Sequence, residues 1–130
     1  MSKDHALHNE EVCNLINGQN KYHDWTVTSA FYSALHYVLF EIFPVEHYGE
    51  KYTCFDHYCS EKLKNRTSKH EATCGLVAKH LPTCDGHYKW LKDQCMSARY
   101  YDYDVSPEVA KEAVKNLEFI KSRIKKLDDE

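Results

Sequence analysis

Between Asp24 and Pro44 the apolar residues recur at helical spacing: Val27, Ala30, Phe31, Ala34, Leu35, Val38, Leu39 and Ile42 fall at i, i+3, i+4, i+7, i+8, i+11, i+12 and i+15. The opposite side is apolar as well, through Tyr32, His36, Phe40 and Phe43. Only Thr26, Ser29, Ser33 and Tyr37 form a narrow polar strip. A helix apolar on most of its circumference has to be surrounded by other helices. The stretch is therefore predicted to be the central helix of an antiparallel bundle, with Asp24 as its N-cap and Pro44 as its stop. Its polar and aromatic content argues against a membrane span.

The same patterning predicts four more helices. The first covers residues 4 to about 19, with Leu7, Val12, Leu15 and Ile16 as a thin apolar face and Glu10 and Glu11 toward solvent. Ser68-Lys69-His70-Glu71 reads as a capping box, and the helix it opens should run to Leu81, before Pro82. A fourth helix after Asp85-Gly86 carries Tyr88, Leu91, Cys95 and Ala98 inward. Ser106-Pro107-Glu108 supplies a cap, a proline at the first helical position and an acid in the first turn of the last helix. Its stripe is Ala110, Ala113, Val114, Leu117, Ile120, Ile124 and Leu127. Residues 44–65 have no clear period and are crowded with aromatics, which if exposed together would make an interface between copies. A helical turn after Asp56 is expected there, and no strand is read anywhere. The predicted fold class is all-α, an up-and-down bundle of four to five helices in one domain spanning 1–130.

Composition narrows the function classes. The chain has 130 residues, enough to bury a core without staples. A net charge of −3 argues against a surface coated in basic charge for non-specific nucleic-acid binding, while leaving room for a local patch. The polar start, Met1-Ser2-Lys3-Asp4-His5, lacks the apolar run of a secretory signal. The chain is therefore expected in the cytoplasm with its six cysteines reduced. Cys54, His57 and Cys59, with His47 nearby, are ligand types for zinc, and Cys84 with His87 repeats a Cys-x-x-His spacing. Neither makes the paired pattern of a zinc site, so no metal and no cofactor is assigned.

Candidate chemistry gathers on the third and fourth helices. Arg66 and His70 flank the start of one; Arg99, Tyr100 and Tyr103 cluster at the end of the other. Antiparallel packing would bring both groups to one end of the bundle, with His36 facing them from the central helix. An arginine, a histidine and tyrosines placed together can hold a phosphate and move a proton. The structural alternative pairs Arg99 with a carboxylate, makes the tyrosines an aromatic cover and leaves His36 as a hydrogen-bonded core residue.

Three segments carry a resemblance: Ala30-Phe31-Tyr32-Ser33-Ala34-Leu35-His36; Lys69-His70-Glu71; and Ala98-Arg99-Tyr100-Tyr101-Asp102-Tyr103 with Pro107-Glu108-Val109-Ala110 after it. Together they resemble the HEPN family of small helical-bundle proteins over roughly residues 20–125. The resemblance implies a bundle of four or five helices, often dimeric. It also implies binding of nucleotide or RNA, in some members as partner of a minimal nucleotidyltransferase in a toxin–antitoxin-like or defence setting. Other members are metal-independent ribonuclease toxins. By that resemblance His70 is the general base and Arg66 or Arg99 the phosphate stabiliser, with Arg99, Tyr100, Tyr103 and His36 as binding residues. The chain departs from the nuclease motif: Arg66 and His70 enclose only Thr67, Ser68 and Lys69, and no histidine follows Arg99. The departure favours binding over cleavage. The third class is a dimeric adaptor without a ligand.

Overall fold

The structure, a computed structural model, describes residues 2–63 and 68–129. It is an all-α bundle of five long helices: α1 (Ser2–Gly18), α2 (His23–Ile42), α4 (Lys69–His80), α5 (Asp85–Tyr100) and α6 (Pro107–Ser122). A one-turn helix, α3 (Phe55–Tyr58), lies between α2 and α4. Among the described residues, no helix is long and apolar enough to cross a membrane.

As its pattern requires, α2 is central and packs against α1, α4, α5 and α6. Val27, Ala30, Phe31, Ala34, Val38, Leu39 and Ile42 are buried, whereas Leu35 is only half-buried. The polar strip of α2 faces the interior. Thr26, Ser29, Ser33 and Tyr37 are buried: the small Thr26, Ser29 and Ser33 let α1 approach closely, the two serine hydroxyls find backbone acceptors, and Thr26 Oγ1 is left without a partner. Ser33 Oγ donates to the Ala6 carbonyl at 2.8 Å, and Cys13 Sγ to the Thr26 carbonyl at 3.5 Å. These pairings run in opposite sequence directions, so α1 and α2 are antiparallel.

Three details of α1 and the start of α2 differ from expectation. Asp24 is not the N-cap. Tyr22 occupies that position in the left-handed region (φ 59°), and its carbonyl accepts from the Trp25 and Thr26 amides at 2.9 and 3.2 Å. Asp24 sits instead in the first turn, where the helix dipole favours an acid. Glu10 does not face solvent. It accepts from Tyr37 Oη at 2.6 Å and from Lys121 Nζ at 3.0 Å, joining α1, α2 and α6. Leu15, expected on the apolar face of α1, is 67% exposed.

The reading of no strand is corrected by a small hairpin, β1 (Val45–His47) with antiparallel β2 (Glu50–Tyr52). Tyr48 and Gly49 make its two-residue turn with φ of 52° and 80°, the left-handed conformation that such turns demand. Its aromatic surroundings are packed rather than displayed: Phe55 and Tyr58 lie edge-on to Phe43, and Tyr52 is buried against Tyr58. Only Tyr48, 91% exposed, remains of the aromatic interface expected from residues 44–65.

The caps of α4 and α6 are as predicted. Ser68 Oγ accepts from the Glu71 amide at 3.1 Å, and Ser106 Oγ from the Val109 amide at 3.2 Å. Helices α4 and α5 pack against each other across the three-residue Pro82–Cys84 turn, which makes them antiparallel. Phe31 of α2 meets His70 at the start of α4, and His47, just beyond the end of α2, meets His80 at the end of α4. Helix α4 therefore runs parallel to α2 and is displaced toward its C-terminal half.

Candidate functional site

That displacement decides which candidate residues meet. Helix α4 has 12 residues and α5 has 16. Phe31 of α2 touches both His70 at the start of α4 and Tyr88 on α5, and Arg99 stands 11 positions beyond Tyr88. At 1.5 Å per residue Arg99 is about 16 Å farther along α5. What lies beside it instead is the start of α2.

Arg99, Ala98 and Tyr103 enclose a cleft of about 280 Å³ with Asp24, Trp25 and Thr28. Two local features turn Tyr103 back toward α2. The Tyr101 and Asp102 amides both donate to the Ser97 carbonyl, at 3.0 and 2.9 Å, closing the end of α5. Asp102 Oδ1 then accepts from the Asp104 amide at 2.9 Å, an Asx turn that bends the next residues. Arg99 Nη1 donates to Tyr32 Oη at 3.0 Å, which fixes the guanidinium at the edge of the cleft. No carboxylate among the described residues lies within ion-pair distance of Arg99. The Arg99 side chain lines the cleft.

The surface around this cleft is aromatic. Tyr22, Trp25, Tyr100, Tyr101 and Tyr103 are all exposed, contributed by the α1–α2 turn, the first turn of α2 and the α5–α6 connection. The Arg99 guanidinium lies 5.7 Å from the centre of the Tyr100 ring, so Tyr100 flanks the cleft without lining it. Sequence reasoning found Arg99, Tyr100 and Tyr103 but missed Trp25, Asp24 and Thr28. The available signal was an aromatic in the first turn of a buried helix, at a position the 3.6-residue period leaves outside.

The histidines lie elsewhere. His70 packs against Phe31 with ring centres 5.6 Å apart and does not line the cleft. Burial pushes its pKa below the usual imidazole value, and Lys92 adds to the effect. His36 stacks on His5 at 4.8 Å on the α1 side of α2; its Nδ1 is buried without a hydrogen-bond partner. Burial, then His5, lowers its pKa. Arg66 lies outside the described residues.

Among the described residues, no three His, Cys, Asp or Glu side chains gather as a metal site. Cys54 is exposed, and the His57 ring rests on Tyr52 with its Nδ1 accepting from the Thr53 amide at 3.4 Å. Cys84 is buried, while His87 bonds through Nδ1 to Asn116 Oδ1 at 2.6 Å and stacks on Phe119 at 4.0 Å.

Four histidines, His36, His47, His70 and His80, have pKa values lowered by burial. Each is held neutral in the fold and regains an ordinary pKa of about 6.5 on unfolding. The unfolded chain then binds more protons below that pH, so stability rises with pH in this range. The contribution is fully present above about pH 6.5 and is lost as pH falls toward the folded values. The urea midpoint is expected to climb between pH 5.5 and pH 7. A midpoint that stays flat or falls over that interval would show that these imidazoles are not buried neutral.

Comparison with protein-family models, with curated proteins and with solved structures returns no match for this chain.

Proposed function

We propose that this chain is a HEPN-like protein that binds nucleotide or RNA in the cleft between the start of α2 and the end of α5. One observation carries the reading: an arginine without a carboxylate partner meets Trp25 and Tyr103 in a cleft ringed by exposed aromatics. The guanidinium fork suits phosphate oxygens. Trp25 and Tyr103 offer faces on which unpaired bases stack, and such stacking is worth about 1–3 kcal/mol per base. Asp24 adds an acceptor for an exocyclic amine or a ribose hydroxyl. The reading is binding rather than cleavage, because His70 does not line the cleft. A homodimer, a cytoplasmic location and a nucleotidyltransferase partner belong to the same proposal through the family resemblance.

The test is a titration of mononucleotides and short single-stranded RNA against wild type, Arg99→Ala and Trp25→Ala. Arg99→Ala is expected to weaken binding by about tenfold, equivalent to about 1.4 kcal/mol. Trp25→Ala should weaken RNA more than mononucleotide, since it removes a stacking face. Equal affinities for all three proteins would take the site away from this cleft. RNA cleavage that disappears in His70→Ala would replace the binding reading with a ribonuclease.

A further inference from the structure

At the other end of α2 the chain assembles a second concavity. His47 lines it and pairs with His80 behind; their Nε2 atoms lie 2.9 Å apart with rings nearly parallel, 15° between planes. At that distance one imidazole N–H donates to the other, so the pair holds one proton between the two facing nitrogens. Tyr58 stands edge-on to His47 at 5.7 Å. Above them the turn residue Tyr48 projects into solvent, with Lys62 Nζ 5.2 Å and Lys79 Nζ 5.8 Å from its ring centre. Between these groups opens a cavity of about 370 Å³, lined by His47, Tyr48, Tyr58 and Lys79 over a floor of Ala72 and Gly75. The floor is low because both residues are small; a Cβ built on Gly75 would meet nothing within 4 Å.

The charge here has one sign. The charges felt by His47 are those of Lys79 and Lys62, and His80 feels His47 and Lys79. Lys62 is also the cation acting on the Tyr58 phenol. Among the described residues, no carboxylate lies within ion-pair distance of Lys62 or Lys79. Glu50, opposite His47 in the hairpin register, is exposed, and Glu46 pairs in register with Lys51. Two unneutralised ammonium groups beside two imidazoles repel one another, and an anion placed among them relieves that repulsion. The same field opposes a metal cation at the histidine pair.

We propose that this corner is a second anion site, which takes the phosphoryl group of a small phosphorylated ligand. Lys62 and Lys79 supply the charge. Tyr58 supplies a hydroxyl donor, its phenol kept protonated chiefly by burial. His47 becomes a donor to the anion once the histidine pair takes up a second proton and its N···N hydrogen bond opens. Binding is therefore coupled to proton uptake and strengthens as pH falls through the imidazole range. The cavity volume falls within the range of small-molecule sites, about 300–1,000 Å³, which leaves room for more than a bare phosphate. The site is separate from the Arg99 cleft: Asp24, Trp25 and Thr28 stand at one end of α2 and His47 beyond the other, about 30 Å apart along the helix.

The experiment follows the imidazole resonances of His47 and His80 by NMR during titration with inorganic phosphate and, separately, sulfate. Sulfate does not titrate in this range, so its pH dependence reports the protein alone. The proteins are wild type, Lys62→Gln/Lys79→Gln and Arg99→Ala. Saturable shifts of both histidines are expected. The double lysine variant should bind about tenfold more weakly. Arg99→Ala should bind as wild type does, which keeps this site distinct from the proposed nucleotide cleft. Sulfate affinity should increase between pH 7.5 and pH 6. Both lysines are exposed, so the double variant should retain the wild-type circular dichroism. Histidine resonances that do not move with either anion, or an affinity unchanged in the double lysine variant, would overturn the proposal.

Discussion

Phe31→Ala is expected to destabilise the protein by about 3–5 kcal/mol, the cost of removing a large buried aromatic and leaving a cavity. Phe31 is fully buried on α2, and its ring touches Tyr32, His70 and Tyr88. Those partners belong to α2, α4 and α5, so the cavity would open where three helices meet. Backbone collapse cannot fill it without moving a helix, which places the loss toward the upper end of the range. In a domain of this size the melting temperature should fall by about 10–20 °C. Leu35→Ala should cost less, because Leu35 is only half-buried although the helical period puts it on the core face. Urea denaturation of the two variants checks the order. A Leu35 variant less stable than the Phe31 variant would mean that α2 is rotated from the orientation described.

The difference between Phe31 and Leu35 shows what periodicity can and cannot tell. It locates a helix and its apolar arc, because the 3.6-residue repeat follows from backbone geometry. Within a helix apolar nearly all round, it cannot say which sector is packed most tightly. That depends on neighbours brought in by tertiary contacts. The caps at Ser68 and Ser106 were legible because an N-cap is a local arrangement of a few adjacent residues. The α1–α2 turn was not, because a left-handed Tyr22 rather than a capping side chain starts α2. The hairpin at Val45–Tyr52 was masked by strands of only three residues, too short for alternation to show.

The candidate site was half legible for a similar reason. Arg99 and Tyr103 are close in sequence, so their joint presentation at the end of α5 could be read directly. Joining them to His70 required the helix offset, which depends on how far α4 is displaced along the bundle. Arg99 lies 11 residues beyond Tyr88, the α5 residue that shares Phe31 with His70, and that offset separates the two groups. Trp25 entered because the start of α2 lies beside the end of α5. No spacing rule links positions so far apart in sequence.

Removing the Glu10 carboxylate should give the second large loss of stability, without touching either proposed site. Glu10 is an acid on α1 that accepts from the hydroxyl of fully buried Tyr37 on α2 and from Lys121 on α6. In Glu10→Ala the Tyr37 hydroxyl keeps its burial and loses its acceptor, which costs about 1–3 kcal/mol. The ion pair adds little, because Lys121 is 39% exposed and can return its ammonium to water. Tyr37→Phe should cost less, about 0.5–1.5 kcal/mol, since it removes the hydroxyl and leaves Glu10 still paired with Lys121. Combined, the two substitutions should be less damaging than their sum by about 1 kcal/mol, because the orphaned hydroxyl is no longer present. Strict additivity in urea denaturation would show that the Tyr37–Glu10 hydrogen bond carries no stability. Ligand titrations on Glu10→Ala separate fold from function. The carboxylate lines neither the Arg99 cleft nor the His47 cavity, so both affinities should match wild type at temperatures well below its melting point. A variant that loses binding while still folded would instead make the α1–α2–α6 junction part of how the clefts are held open.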